Sequence, residues 1–259
     1  MSTNPRIVKS AARVLQVLEF FDGAKRSAPV AEVADHYGWP HSSTSMLMRS
    51  LVALGYLHYD AGGRRYLPTV RVRLLGDWMQ QGLFDDGQLA ALMESLAAQT
   101  RETIVLASRN GLHAQYLRVV QGGSTLRMHL RIGTLRPLLS SGSGHMLLAG
   151  LPNATIRRLV RRHNAEYAAD QCIDPAELLA TIEACRERGY AVSHNLVTPL
   201  AGMIAFSLPT REDEEPLVIA IGGPTDRLIA NEADYVRVVR ETLESFVTGR
   251  GTASGNQAS

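Results

Sequence analysis

The chain has 259 residues, 45% of them hydrophobic and 20% charged, a globular composition with material for one large domain or two modest ones. No apolar run is long enough to span a bilayer, and Met1–Lys9 lacks the apolar stretch of a signal peptide. The net charge of +2 hides an asymmetry: residues 1–75 hold ten Lys/Arg against five Asp/Glu, and residues 76–259 hold seventeen against twenty. A basic first part on a mildly acidic remainder is expected if only the first part meets a phosphate backbone.

A first helix is predicted over about residues 8–22. Val14, Val17, Leu18 and Phe21 form one apolar stripe at helical spacing, and Gly23 stops it. A second helix opens at Pro29, which has no N–H to leave unsatisfied. It carries Val30, Val33, Ala34 and Tyr37 and ends at Gly38, with Pro40 blocking continuation. A third helix follows, with Ser42 as N-cap or first-turn residue and Leu47, Leu51 and Leu54 facing inward. Its opposite face holds Ser42, Ser45, Met46 and Arg49.

Short hydroxyls let a helix axis approach a groove and still bond phosphate or base edges, and Arg49 suits a phosphate or a guanine. Taken alone, such a face is an ordinary solvated surface. What favours a DNA-reading helix is its context: a preceding helix, a tight turn, and a following hairpin. Leu57–Tyr59 and Arg65–Leu67 alternate around Asp60-Ala-Gly-Gly-Arg64, placing Arg64 and Arg65 where a wing would touch backbone or minor groove. The candidate DNA-binding residues are therefore His41, Ser42, Ser43, Ser45, Met46, Arg49, Arg64 and Arg65, on a winged helix–turn–helix spanning residues 1–69.

Val70, Leu74, Leu75 and Trp78 continue as a linker helix over 70–86, suited to a dimer contact or equally to packing on its own domain, and Asp85-Asp-Gly87 marks a boundary. Beyond it, helices are predicted at Leu89–Arg101, Gly142–Leu151, Thr155–His163, Pro175–Arg188 and Asn231–Val247. Strands are predicted at Thr103–Ser108, His113–Val120, Leu126–Ile132, Gly202–Leu208 and Leu217–Gly222. Asn110-Gly111 is a hairpin signal, and the last two strands pair antiparallel across the acidic turn Arg211–Pro216. No strict βαβ alternation appears, so the expected class is α+β, a sheet with packed helices over residues 87–249, followed by a disordered tail. Cys172 and Cys185 lack metal-like spacing and do not suggest a disulfide scaffold, which fits a cytoplasmic chain.

An enzyme is the rival reading. Ser140-Ser-Gly-Ser-Gly-His145 looks superficially like the nucleophile turn of a hydrolase but lacks the Gly-x-Ser-x-Gly pattern. No helix-spaced His-Glu-x-x-His, no Cys-x-x-Cys and no Gly-rich phosphate loop is present, so no catalytic residue, metal or cofactor is expected.

In order and spacing the chain resembles the IclR family of bacterial transcriptional regulators along nearly its whole length. The matching segments are Val8–Leu15, the two helices of the helix–turn–helix, Leu51–Tyr56, Tyr66–Pro68, Arg131–Pro137, Ser140–Ala149, Cys185–Tyr190 and Ile219–Pro224. The resemblance implies a winged helix–turn–helix, a dimerising linker helix and a GAF-like effector domain for a small organic or aromatic acid. It also implies a homodimer or tetramer on double-stranded operator DNA, as a repressor or activator. The family often has Arg where this chain has Met46, with Arg49 one turn on as a substitute, and Lys where this chain has His145.

By position, the resemblance implies a pocket lined by Met128, Gly142, Ser143, Ser193, Ala201, Met203, Ala220 and Gly222; on residue chemistry, His129 and Ser193 are candidates for added ligand hydrogen bonds. There is a physical case beside it. Free N–H groups at the start of the Gly142 helix attract carboxylates, small residues permit close approach, and Met128 and Met203 make adaptable walls. On the residues alone, a glycine-rich helix start with core methionines remains the competing account.

Overall fold

The structure, a computed structural model, describes residues 8–75, 87–209 and 216–253, the last seven of these as helical backbone only. The chain divides into two compact units, Met1–Gln81 and Gly82–Ser259. Trp78, Asp85, Asp86, most of the acidic turn and residues 254–259 lie outside the described residues.

The first unit consists of α1 (Lys9–Ala24), α2 (Val30–Tyr37), α3 (His41–Ala53), the hairpin strands β1 (Leu57–Asp60) and β2 (Arg65–Pro68), and the short α4 (Val70–Leu74). Its core gathers Val17, Phe20 and Phe21 of α1, Val33 of α2, Met48 and Leu51 of α3, and Leu57 and Tyr66 of the hairpin. α1 runs through Gly23, because the chain reverses only at Lys25, which takes the left-handed conformation that closes the helix. α2 ends where expected, with Gly38 left-handed at φ 65°.

The inward face of α3 differs from expectation: Thr44, Met48 and Leu51 are buried, Leu47 is half-buried, and Leu54 is 59% exposed. The buried positions lie at i, i+4 and i+7 from Thr44. Thr44 can turn inward because its hydroxyl donates to the Pro40 carbonyl at 3.0 Å and so carries no unsatisfied polar group into the core. The β1–β2 hairpin is antiparallel, and Ala28 pairs with Tyr66 to add a third short extended piece.

The second unit is an α+β layer structure, as the pattern of elements implied. Its elements are α5 (Gln88–Thr100), β3 (Thr103–Asn110), β4 (His113–Val120), β5 (Leu135–Pro137), α6 (Gly142–Ala149), α7 (Asn153–Glu166), α8 (Pro175–Arg188), β6 (Ala191–His194), β7 (Ala201–Ser207), β8 (Leu217–Pro224) and α9 (Thr225–Ala253). The six strands form one antiparallel sheet in the order β5-β4-β3-β8-β7-β6.

Strand periodicity sorts the two faces. Ile104, Leu106, Ile204, Phe206, Ile219 and Ile221 pack against α5 and α9. Val105, Ala107, Ala114, Ala205, Val218 and Ala220 face the cluster built by α6, α7 and α8. The alanines on this second face leave room for α6, whose residues 142–148 are all buried. A Cβ at Gly144 would lie 2.0 Å from the Leu138 carbonyl oxygen, so only glycine permits this approach.

Three expectations are corrected. Leu126–Ile132 forms no strand: the edge of β4 is taken by β5, and the intervening segment is held by side-chain bonds to its carbonyls instead of a ladder. β6 was not anticipated, because Ala191-Val-Ser-His is too short to show a period. The last helix extends to Ala253, into the stretch expected to be a disordered tail.

Candidate functional sites

α3 starts at His41 with no side-chain cap, so Ser42 is a first-turn residue and not the N-cap, which is Pro40. Ser43 donates its hydroxyl to the Pro40 carbonyl at 3.0 Å, which tightens the first turn. His41, Ser42 and Arg49 are exposed, Ser43 and Ser45 are half-buried, and Met46 is 66% exposed. One outer face therefore carries Ser42, Ser45, Met46 and Arg49 at i, i+3, i+4 and i+7. Arg49 also borders a recess with Val52, Tyr59 and Tyr66, where α3 meets the hairpin.

The hairpin tip is shaped by Asp60, whose two carboxylate oxygens accept from the amides of Gly62 and Gly63, both at 3.0 Å. Arg64 then adopts a left-handed φ of 50° and stands exposed at the tip. Arg65 behaves differently. Its Nε donates to Ser27 Oγ at 2.9 Å and its Nη2 to the Ser27 carbonyl at 2.5 Å. The guanidinium thus ties the hairpin to the turn before α2, and of the two arginines only Arg64 is presented as a wing residue.

One cavity of the second unit spans about 350 Å³, part of it open solvent at its mouth. Met128, Gly142, Ser143, Ser193, Ala201 and Met203 line it, so six of the nine expected positions are brought together. The other three are not in the wall. Ala220 is buried in the sheet between Val105 and Ala205, under α6. Gly222 lies behind the wall, where a Cβ would meet Leu130, Met128 and Met203 at 3.5–3.7 Å. His129 is exposed: Thr103 Oγ1 grips the Met128 carbonyl at 3.0 Å, and the neighbouring side chain lies at the surface.

Sequence reasoning missed Tyr116, Arg136, Ser141, Gly202 and the loop residues Leu196–Thr198, all of which line the cavity. β4 bulges at Leu117, because Tyr116 faces Ala107 while Arg118 faces Leu106. The bulge breaks the alternation and leaves Tyr116 buried, with Leu117 and Arg118 both exposed. Arg136 pairs with Ala114 in register, and its guanidinium carbon lies 5.9 Å from the centre of the Tyr116 ring. Burial pushes the Tyr116 phenol above its ordinary range, and nearby Arg136 opposes that shift. No periodic signal marks Arg136, since β5 is only three residues long.

The start of α6 faces the same space. Ser141 caps the helix by accepting from the Gly144 amide at 3.2 Å, which leaves the amides of Gly142 and Ser143 without a partner among the described residues. Ser143 Oγ is buried and makes no hydrogen bond of normal geometry. A Cβ at Gly142 would lie 2.5 Å from Ser193 Oγ, so glycine lets the helix terminus sit directly on β6. His145 is turned away: its Nε2 meets the Leu139 carbonyl at 3.0 Å, and burial holds its pKa below the usual histidine value. That bond commits the imidazole to the backbone, so Ser143 and His145 are not arranged as nucleophile and base. Among the described residues no group of three or more His, Cys, Asp or Glu could hold a metal, and no helix is long and apolar enough to cross a membrane.

A helix–turn–helix with an exposed polar helix face and a basic wing, followed by an α+β unit with a small polar-ended cavity, is a build suited to a DNA-binding regulator. Residues 10–61 match the IclR helix-turn-helix domain, and residues 88–246 match the bacterial transcriptional regulator IclR C-terminal domain. The chain belongs to the IclR family of bacterial transcriptional regulators.

It is 28% identical over 239 residues to the probable transcriptional regulator SauR of Cupriavidus necator, covering 92% of this chain and 91% of that protein. It is 26% identical over 234 residues to the transcriptional regulator KipR of Bacillus subtilis, covering 90% and 91%. An IclR transcriptional regulator structure from Alicyclobacillus acidocaldarius matches with a TM-score of 0.60 at 25% identity, covering 93% of this chain and 98% of that one.

Proposed function

We propose that this regulator binds double-stranded operator DNA through the α3 face and the Arg64 wing, and that a small carboxylate in the cavity of the second unit controls the binding. The observation that carries the ligand class is the polar end of the cavity. Gly142 and Ser143 at a helix start, with amides lacking a partner among the described residues, and Arg136 on β5 all line one small space. Helix starts and guanidinium groups both favour carboxylates, and Arg adds a planar two-donor fork. Met128, Met203, Leu196 and Val197 offer apolar walls for the rest of the molecule, which favours an organic acid with a compact apolar body.

Control requires that the acid bind two states of the protein with different affinity. Exposed Val8, Leu15, Val70 and Leu74 on the first unit support self-association as a homodimer or tetramer, which would place two reading helices on successive half-sites. Thermal unfolding across a panel of small acids, benzoate and pyruvate among them, tests the ligand class. An acid at 100 times its Kd adds ~2.7 kcal/mol, a shift of roughly 5–10 °C for a unit of this size. A panel in which neutral amides shift the unfolding temperature as much as the acids do would remove the carboxylate.

A further inference from the structure

Between β4 and β5 the chain runs as a strap, residues 121–134, that carries Met128 into the cavity wall without joining a ladder there. Side chains hold five of its carbonyls: Arg127 donates to Gly122 O and Thr134 to Arg131 O within the strap, and three more bonds seat its middle. Gln121 Nε2 donates to Leu130 O at 2.9 Å, Thr103 Oγ1 to Met128 O at 3.0 Å, and Arg227 Nη2 to Leu126 O at 2.7 Å.

Arg227 lies in the first turn of α9, and its remaining bonds go to Glu102, the residue before β3. Nε donates to Oε1 at 2.5 Å and Nη2 to Oε2 at 2.8 Å. Tyr235, two turns along α9, donates to the same Oε1 at 3.3 Å. The Glu102 side chain is 1% exposed and that of Arg227 33%. The backbone is shaped to this group: a Cβ at Gly223 would lie 2.6 Å from Glu102 Oε2, and one at Gly122 would lie 2.4 Å from the Arg101 carbonyl.

A buried ion pair adds little stability over apolar residues of the same volume, so its value here is positional. Neither Glu102 nor Arg227 lines the cavity. Arg227 bonds the strap directly, and Glu102 holds Arg227.

We propose that Glu102 and Arg227 form a latch that seats the strap, holds Met128 in the cavity wall, and so sets how bulky a ligand the cavity admits. This rests on the reading that the cavity takes a small acid, but its first test needs no ligand. The full chain is compared with Glu102→Gln and Arg227→Lys by hydrogen–deuterium exchange. Peptides covering residues 122–131 exchange about ten-fold faster in both variants, while peptides from α3 and β7 keep the wild-type rate. Unchanged exchange at 122–131 in folded variants overturns the latch. So does faster exchange spread over the whole unit, which marks an ion pair that serves stability alone.

The second readout is calorimetric titration with benzoate and the bulkier 2-naphthoate. The wild type favours benzoate, and the latch variants narrow the ratio of the two affinities at least three-fold, whereas a uniform loss of both affinities overturns the size-setting role. Failure of the wild type to bind either acid overturns the carboxylate reading, and the exchange pattern still decides whether the latch exists.

Discussion

The two units present their candidate functional residues in opposite ways. In the first, Ser42, Ser45, Met46 and Arg49 share one face of a single helix, and Arg64 stands at a hairpin tip. In the second, the cavity is assembled from β4, β5, β6, β7, the start of α6, the strap and the loop before β7. A surface that meets a polyanion must be exposed and can be written in one short stretch of chain. A cavity exists only where distant elements fail to fill the space between them. Changes to the first unit should therefore alter DNA binding without altering ligand binding to the DNA-free protein, and changes to the cavity should alter ligand binding without altering DNA binding of the ligand-free protein.

The largest expected effect comes from the core of the first unit. Met48→Ala removes a fully buried side chain from the cluster joining α1, α3 and the hairpin, a loss of ~2–5 kcal/mol. Differential scanning calorimetry should show the first unit melting earlier and the second unchanged. A parallel shift of both transitions would break the separation.

Arg49→Ala leaves the core intact and should weaken operator binding by ~1–3 kcal/mol if the guanidinium reads a guanine. If it holds a phosphate, the salt dependence of log K should fall by about 0.9. Mobility shift across a salt series distinguishes the two, and unchanged affinity with an unchanged slope would take Arg49 out of the interface.

Arg136→Ala should cost ~1.5–3 kcal/mol of carboxylate affinity by titration calorimetry, the range for hydrogen bonds to charged groups. Affinity for DNA without ligand should stay at the wild-type value. Weaker DNA binding in that state would show that the cavity and the reading face are not separable.

The smallest effect concerns His145. Burial favours the neutral imidazole, so the unfolded chain binds more protons over the affected range and stability rises with pH there. The contribution is complete above about pH 6.5, the ordinary histidine value, and is lost as pH falls through the lower folded value. His145→Asn should flatten that dependence in chemical denaturation between pH 4.5 and 7.

The first unit was largely legible from sequence. α2 and its turn follow from Pro29, the Val30–Tyr37 stripe and Gly38, all local signals. The hairpin follows from alternation around two glycines. What escaped was the division of labour between Arg64 and Arg65, because Ser27, Arg65's partner, is 38 residues away. In the second unit, the helices and long strands were legible to within a few residues except α9, which starts six residues earlier and ends six later than its apolar stripe suggested. Leu126–Ile132 was misread because Met128 serves the cavity wall and Leu130 the core while Leu126 and Ile132 are exposed, without any of them joining a ladder. Arg136 and Tyr116 went unnoticed because the Arg136–Ala114 register and the bulge at Leu117 bring them together, and neither leaves a periodic trace.

Residue order alone determined a helix–turn–helix with a wing, an acidic α+β unit behind it, and a glycine-rich helix start suited to an anion. These depend on periodicity, turn chemistry and charge, which act over a few residues. Tertiary structure decided which arginine stands free at the wing, which side chains enclose the cavity, and how a buried carboxylate seats the strap beside it. Each of those is a meeting of groups far apart in the chain, and only strand register and close packing bring such groups into contact.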